Sequence, residues 1–167
     1  MAKKVLVDSA IEAGERFVRQ LDSDGVPVVA AFWLYSPQAE NYQLFVALKS
    51  YEMDGPRKTY DKLRDSLLRV PLKDRVDWDD VSAISGSDYR VTSLSKLLRT
   101  GPGIYAARVT SCMIDNNTID DALIYRTDPD SPHRAGKGPT STGRAVKELP
   151  SRVRRKTRAV ARGKSRR

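Results

Sequence analysis

The 167-residue chain has one cysteine and one histidine, and no apolar run of membrane-crossing length. A single cysteine, Cys112, excludes an internal disulfide and any zinc site built from several thiolates. His133 stands beside Pro132 in a polar stretch, where no rigid element would hold it as a general base. The apolar stretches fall far short of the roughly 18 residues that span a bilayer. There is no GxxxxGK[ST] phosphate loop and no GxSxG nucleophile elbow. Residues 1–17 carry Lys3, Lys4 and a short apolar patch, but Asp8, Glu12 and Glu15 interrupt it and no small-residue cleavage site follows. That pattern does not read as a signal peptide. The expectation is a cytoplasmic protein without membrane insertion, and no cofactor or metal site is assigned.

What the chain has in excess is positive charge, and it is unevenly placed. Residues 1–127 hold 17 Lys and Arg against 18 Asp and Glu, a balance of −1. Residues 128–167 hold 13 against 3, a balance of +10. The first part can therefore fold as a nearly neutral body, and the high pI belongs to the appendage.

Apolar spacing gives the elements. Val7, Ala10, Ile11, Gly14, Phe17, Val18 and Leu21 lay one stripe on a helix ending near Asp22, with Gly25 suited to the left-handed position beyond it. Residues 26–35 are almost wholly apolar and β-branched or aromatic, as in a strand covered on both faces. A turn cluster at 36–41 returns the chain into a second strand, 42–49. A helix starts near Asp54 or Gly55, with Pro56 tolerated in its first turn. It runs through Tyr60, Leu63, Leu67 and Val70 and stops at Pro71. Residues 72–80 are irregular, anchored by Val76 and Trp78. Residues 81–85 form a short strand. Ser87 or Asp88 caps a third helix that points Val91, Leu94, Leu97 and Leu98 inward, and Thr100 with Gly101 stops it. Strands at 104–113 and 118–126 then flank a hairpin turn at Asp115, Asn116 and Asn117.

The expected fold is α+β: a two-layer sandwich of about five mostly antiparallel strands and three helices in the order α-β-β-α-β-α-β-β, with the helices on one face or divided between both. The domain is 1–127. A Pro/Gly/Ser/Thr-rich flexible linker spans 128–144, and a basic tail with a short helix forming on binding spans 145–167.

Several stretches resemble an uncharacterised family of small bacterial α/β proteins. They are Ala13-Gly14-Glu15-Arg16, Trp33-Leu34-Tyr35, Gly101-Pro102-Gly103-Ile104, and Asp120-Asp121-Ala122 with Tyr125-Arg126. The resemblance covers roughly residues 8–126. It implies a bacterial setting and the domain boundary, and carries over no activity, cofactor or catalytic residue.

The chemistry concentrates in the tail. Arg152, Arg154, Arg155, Lys156, Arg158, Arg162, Lys164, Arg166 and Arg167 place nine cations in sixteen residues. Such density suits neutralisation of successive phosphates with counterion release. No aromatic residue follows Tyr125, so the tail has no ring on which a base could stack. Contact with nucleic acid would then be to the backbone and non-specific. An acidic protein, a membrane surface, or no specific partner are the other readings of the same charge.

In the domain, Gly101-Pro102-Gly103 follows a helix instead of preceding one, and Pro102 removes a donor, which argues for a helix stop over a phosphate cradle. Asp79-Asp80 and Asp120-Asp121 have the residue type a magnesium site needs. Adjacent strand residues face opposite sides, however, so Asp120 and Asp121 cannot share one ion. Cys112, mid-strand, reads as a small core residue. Trp33 and Tyr35, with Tyr42, Tyr51 or Tyr105, would form an exposed aromatic patch if one sheet face lacks helices. Arg108 and Arg126 are placed to pair with Asp120 or Asp121 across strands.

The leading expectation is a non-enzymatic bacterial accessory protein. Its tail binds nucleic acid and its domain associates with an unidentified protein or itself. The alternatives are a protein-interaction module without a nucleic-acid role, and a metal-dependent nuclease or other enzyme drawing on Asp115, Asp120 and Arg108.

Overall fold

The long apolar run near the amino terminus becomes the central strand of a five-stranded sheet. The computed structural model describes residues 5–130. Along the chain lie helix α1 (Asp8–Ser23), strands β1 (Val28–Ser36) and β2 (Asn41–Leu48), helix α2 (Tyr51–Arg69), single 3-10 turns at Leu72–Asp74 and Trp78–Asp80, strand β3 (Val81–Ser85), helix α3 (Tyr89–Leu97), and strands β4 (Ala107–Ile114) and β5 (Asn117–Thr127). The sheet order is β3-β2-β1-β5-β4. Only β2 and β3 run parallel; every other neighbouring pair is antiparallel. The class and element order are those expected from the sequence. The linker and tail lie outside the described residues, apart from 128–130.

The helices divide between the two faces, so the sheet is the middle of three layers and not one of the two expected, because α3 covers the face that α1 and α2 leave free. Phe17, Val18 and Leu21 of α1 and Leu63 and Leu67 of α2 pack on Ala31, Trp33, Leu44, Val46 and Leu123. Val91 and Leu94 of α3 pack on Phe32, Phe45, Ala47, Ile84 and Ile124 from the other side. That double cover is why residues 28–33 of β1 are all buried and need no polar alternation.

Two β-bulges adjust the central strands. Val28 pairs with Leu48 and Ala30 with Ala47, leaving Val29 as an extra residue in β1. Ala31 pairs with Arg126 and Phe32 with Ile124, leaving Tyr125 as the extra residue in β5. A bulge sets two residues against one and re-aims the side chains beside it. Tyr125 and Arg126 consequently both serve the α1 face.

Local differences from the sequence reading have physical causes. Helix α2 begins a turn early, at Tyr51, and breaks at Gly55, whose φ of 74° is non-helical; the expected start at Pro56 opens its second part. Helix α3 ends at Leu97, so Leu97 is exposed and does not point inward, and Gly101 lies beyond its extended cap Leu98 instead of stopping it. Strand β4 starts at Ala107, not at 104. The preceding residues meet β5 at its bulge, where the Tyr105 N–H donates to the Tyr125 carbonyl at 2.8 Å. The last hairpin has a two-residue loop, Asp115-Asn116, both with positive φ (48° and 65°), as a tight turn between twisted strands requires. Contacts continue past Thr127, since the Asp128 N–H donates to the Val29 carbonyl at 2.7 Å. No helix among the described residues is long and apolar enough to cross a membrane.

Candidate functional sites

Three polar constellations are built by this framework, and two of them serve the fold. The first joins α1 to the sheet. Trp33 Nε1–H donates to the Tyr125 hydroxyl at 2.9 Å, and that hydroxyl donates to the Ile11 carbonyl at 2.5 Å. Burial pushes the Tyr125 phenol well above its ordinary pKa, so it stays a protonated donor. Gly14, one turn after Ile11, has to be bare. A Cβ there would lie 2.5 Å from the Tyr125 oxygen and 2.7 Å from Trp33 Nε1.

Beside this lock, the Arg126 guanidinium grips Asp22 at the end of α1 with two bonds, 2.7 and 2.6 Å. Its Nε–H donates to the Gly103 carbonyl at 3.2 Å. Arg126 does not pair with Asp120 or Asp121: all three lie on β5, five or six residues apart, and the Tyr125 bulge aims Arg126 at Asp22.

The second constellation lies further along the same sheet face. Asp121 is buried and accepts the Tyr42 hydroxyl at 2.6 Å. It also accepts Arg108 Nε–H at 3.0 Å and Nη2–H at 2.6 Å. The hydrogen bonds to Asp121 hold the Arg108 cation firmly protonated. Burial, reinforced by the neighbouring Asp121 carboxylate, raises the Tyr42 phenol. The strand pairing of Arg108 expected from sequence is present, with Asp121 as the partner. The part played by Tyr42 carried no sequence signal.

The acidic residues of the nuclease alternative are not brought together. Asp115 sits at the hairpin tip in an ion pair with Lys96. Arg108 on β4 and Asp120 on β5 lie five or more residues away, about 17 Å at ~3.4 Å per residue. Asp77 caps the turn that contains Asp79 and Asp80 by accepting the Asp79 N–H at 3.2 Å. Among the described residues, no group of three or more Cys, His, Asp or Glu is arranged to hold a metal. Cys112 is half-buried and packs against the α3 face. The aromatic patch is largely covered: Trp33 and Tyr42 are buried, Tyr35 and Tyr51 half-buried, and Tyr105 exposed. His133 and the nine tail cations from Arg152 to Arg167 lie outside the described residues.

The third constellation is a cleft of about 250 Å³ at the carboxyl ends of β2 and β3. Lys49, Glu52, Ser85 and Ser87 line it, over Val29 and Gly86. The extra helical turn at 51–54 places Glu52 there. Glu52 Oε1 accepts the hydroxyls of Ser85 at 2.8 Å and Ser87 at 2.6 Å. These hydrogen bonds, Ser87 foremost, hold the Glu52 carboxyl below its ordinary pKa. Sequence reading missed this site because it started α2 at Asp54 or Gly55. The one available signal was the short spacing between the end of a strand and an acidic residue.

Searches for similar proteins found no matching family model, no matching curated protein and no matching solved structure.

Proposed function

We propose that the protein is a non-enzymatic bacterial accessory protein whose basic carboxyl-terminal tail holds nucleic acid non-specifically while its α/β domain provides protein association. The observation that carries this reading is the partition of charge. The described residues, 5–130, hold 15 Lys and Arg against 20 Asp and Glu, a balance of −5. The whole chain is +9. An acidic body repels a phosphate backbone, so binding depends on Arg152, Arg154, Arg155, Lys156, Arg158, Arg162, Lys164, Arg166 and Arg167. The test is affinity purification of the full chain and of a variant with these nine residues changed to Gln, each with and without nuclease treatment. The full chain is expected to carry nuclease-sensitive nucleic acid and the variant none. Equal recovery from both would overturn the reading.

A second reading, association of the domain without any nucleic-acid role, is favoured by β4. This eight-residue strand ends the sheet, and its Met113 is 72% exposed. A free strand edge is a template for another strand. The occupant that suits it is β4 of a second copy. Two antiparallel β4 strands bring no like charges together, because the one cation, Arg108, is already bound to Asp121. Light scattering is expected to give a dimer that Met113→Lys converts to monomer. A monomeric unmodified chain would overturn this reading.

A further inference from the structure

The chain leaves β2 for α2 on one sheet face and leaves β3 for α3 on the other. Where parallel neighbours send their connections to opposite faces, a crevice opens at their carboxyl ends, and open α/β sheets bind ligands there. The Lys49–Glu52 cleft lies at that crevice, beside β2 and β3, the one parallel pair among the described strands.

Its charges are arranged unusually for a surface indentation. Lys49 and Glu52 line the same space, yet neither takes part in an ion pair among the described residues. Glu52 is oriented through Oε1 by the two serine hydroxyls, while Oε2 meets no donor among the described residues. Val29 and Gly86 give the lining a small, apolar part. Gly86 is bare, and a Cβ there would come within 3.0 Å of Val29 Cγ2. Pro129 closes one side.

We propose that this cleft binds a small zwitterion of the α-amino-acid class. Glu52 Oε2 receives the ammonium group, Lys49 Nζ donates to the carboxylate, and Val29 and Pro129 cover a short aliphatic side chain. The size agrees. A space of 250 Å³ holds about eight waters at ~30 Å³ each, which suits one amino acid and is below the range of drug-sized sites. A simple anion would meet the Glu52 carboxylate, and a metal ion would find only one carboxylate ligand. The inference stands apart from the nucleic-acid reading, because it concerns ligand binding by the domain alone.

The test is a titration of the full chain with L-valine, followed by the amide resonances of Ser85, Gly86 and Ser87. Isobutylamine, which lacks the carboxylate, and isovalerate, which lacks the amine, are the comparison probes. Saturable shifts at these three amides are expected, with each truncated probe about tenfold weaker or worse, the loss of one charge-assisted contact. Glu52→Gln and Lys49→Met are each expected to weaken L-valine binding by about tenfold while leaving the remaining spectrum unchanged. Isobutylamine equal to L-valine would overturn the carboxylate assignment. Unchanged binding in Glu52→Gln would overturn the site. Absence of shifts with L-valine, and with glycine and L-leucine as smaller and larger probes, would overturn the proposal altogether.

Discussion

The two faces of the sheet are held by different physics. On the α3 face, Val91 and Leu94 press on Phe32, Ile84 and Ile124, and the polar groups buried there, the hydroxyls of Ser95 and Thr127, donate to backbone carbonyls. Thr127, fully buried, donates to the Leu98 carbonyl. Arg90, gripped by Asp88, lies 4.4 Å above the Phe45 ring. On the α1 face, hydrogen-bonded groups sit inside the apolar layer: Trp33 with Tyr125, Tyr42 with Asp121, and Arg126 with Asp22. Apolar burial stabilises without direction, whereas a buried polar pair selects one geometry and is costly to leave half-made. The α3 face should therefore respond to lost volume and the α1 face to lost partners.

The largest effect should come from Asp22→Ala. Its carboxylate is 38% exposed, but the Arg126 side chain is only 6% exposed. Removing the acid strands a buried cation, at a cost of about 3–5 kcal/mol in urea unfolding. Arg126→Met should cost less than Asp22→Ala, because Asp22 can return to water. The reverse order would mean that packing of the arginine stem, and not pairing, holds this corner.

Leu94→Ala removes volume on the α3 face and should cost about 3 kcal/mol. Gly14→Ala should cost about 2 kcal/mol, as overpacking against Tyr125 and Trp33 outweighs the gain in helix propensity. A stabilised Gly14→Ala variant would show that α1 can slide away from the hydroxyl. Tyr125→Phe should cost about 1–2 kcal/mol, leaving Trp33 Nε1 and the Ile11 carbonyl without their partner.

The smallest effect is pH-dependent and lies at the α3 rim. Burial pushes the Asp88 carboxyl upward, but the hydrogen bonds from Arg90 outweigh it and hold the carboxyl below its ordinary 3.8. A lowered folded-state pKa contributes stability above 3.8 and loses it as pH falls through the folded value. The stability difference between the unmodified chain and Asp88→Asn should be steady near neutrality and shrink in acid. A difference constant down to pH 2 would remove the carboxylate from the account.

The contrast between faces also separates what the sequence made legible from what it hid. Period-3.6 spacing of Phe17, Val18 and Leu21 marks the buried stripe of α1, and the unbroken apolar run of β1 marks a strand covered on both sides. Asp115 and Asn116 mark a tight hairpin. The apolar α3 face follows from such patterns, apart from Leu97, which the early end of its helix leaves in solvent. The polar connections of the α1 face do not. Arg126 reaches Asp22 because one extra residue in β5 re-aims it, and nothing in the alternation of residues 117–127 shows where a bulge falls. Asp121 meets Tyr42 across 79 residues, a pairing set by strand order. The Glu52 cleft was hidden for a local reason, a turn of helix preceding Gly55-Pro56. In the tail the sequence reading rests on charge alone, and charge names a polyanion class without naming the polyanion.

The central claim is that nucleic acid is held by the tail's cations and not by the acidic domain. The direct measurement is the affinity of the full chain for a short DNA duplex as salt is raised. If about half of the nine cations Arg152 to Arg167 engage phosphates, log Kobs should fall against log salt with a slope of about −4, in line with −0.9 per phosphate neutralised. The slope should approach zero when those nine residues are changed to Gln. A shallow slope for the full chain, or a steep one that survives the nine changes, would contradict the account.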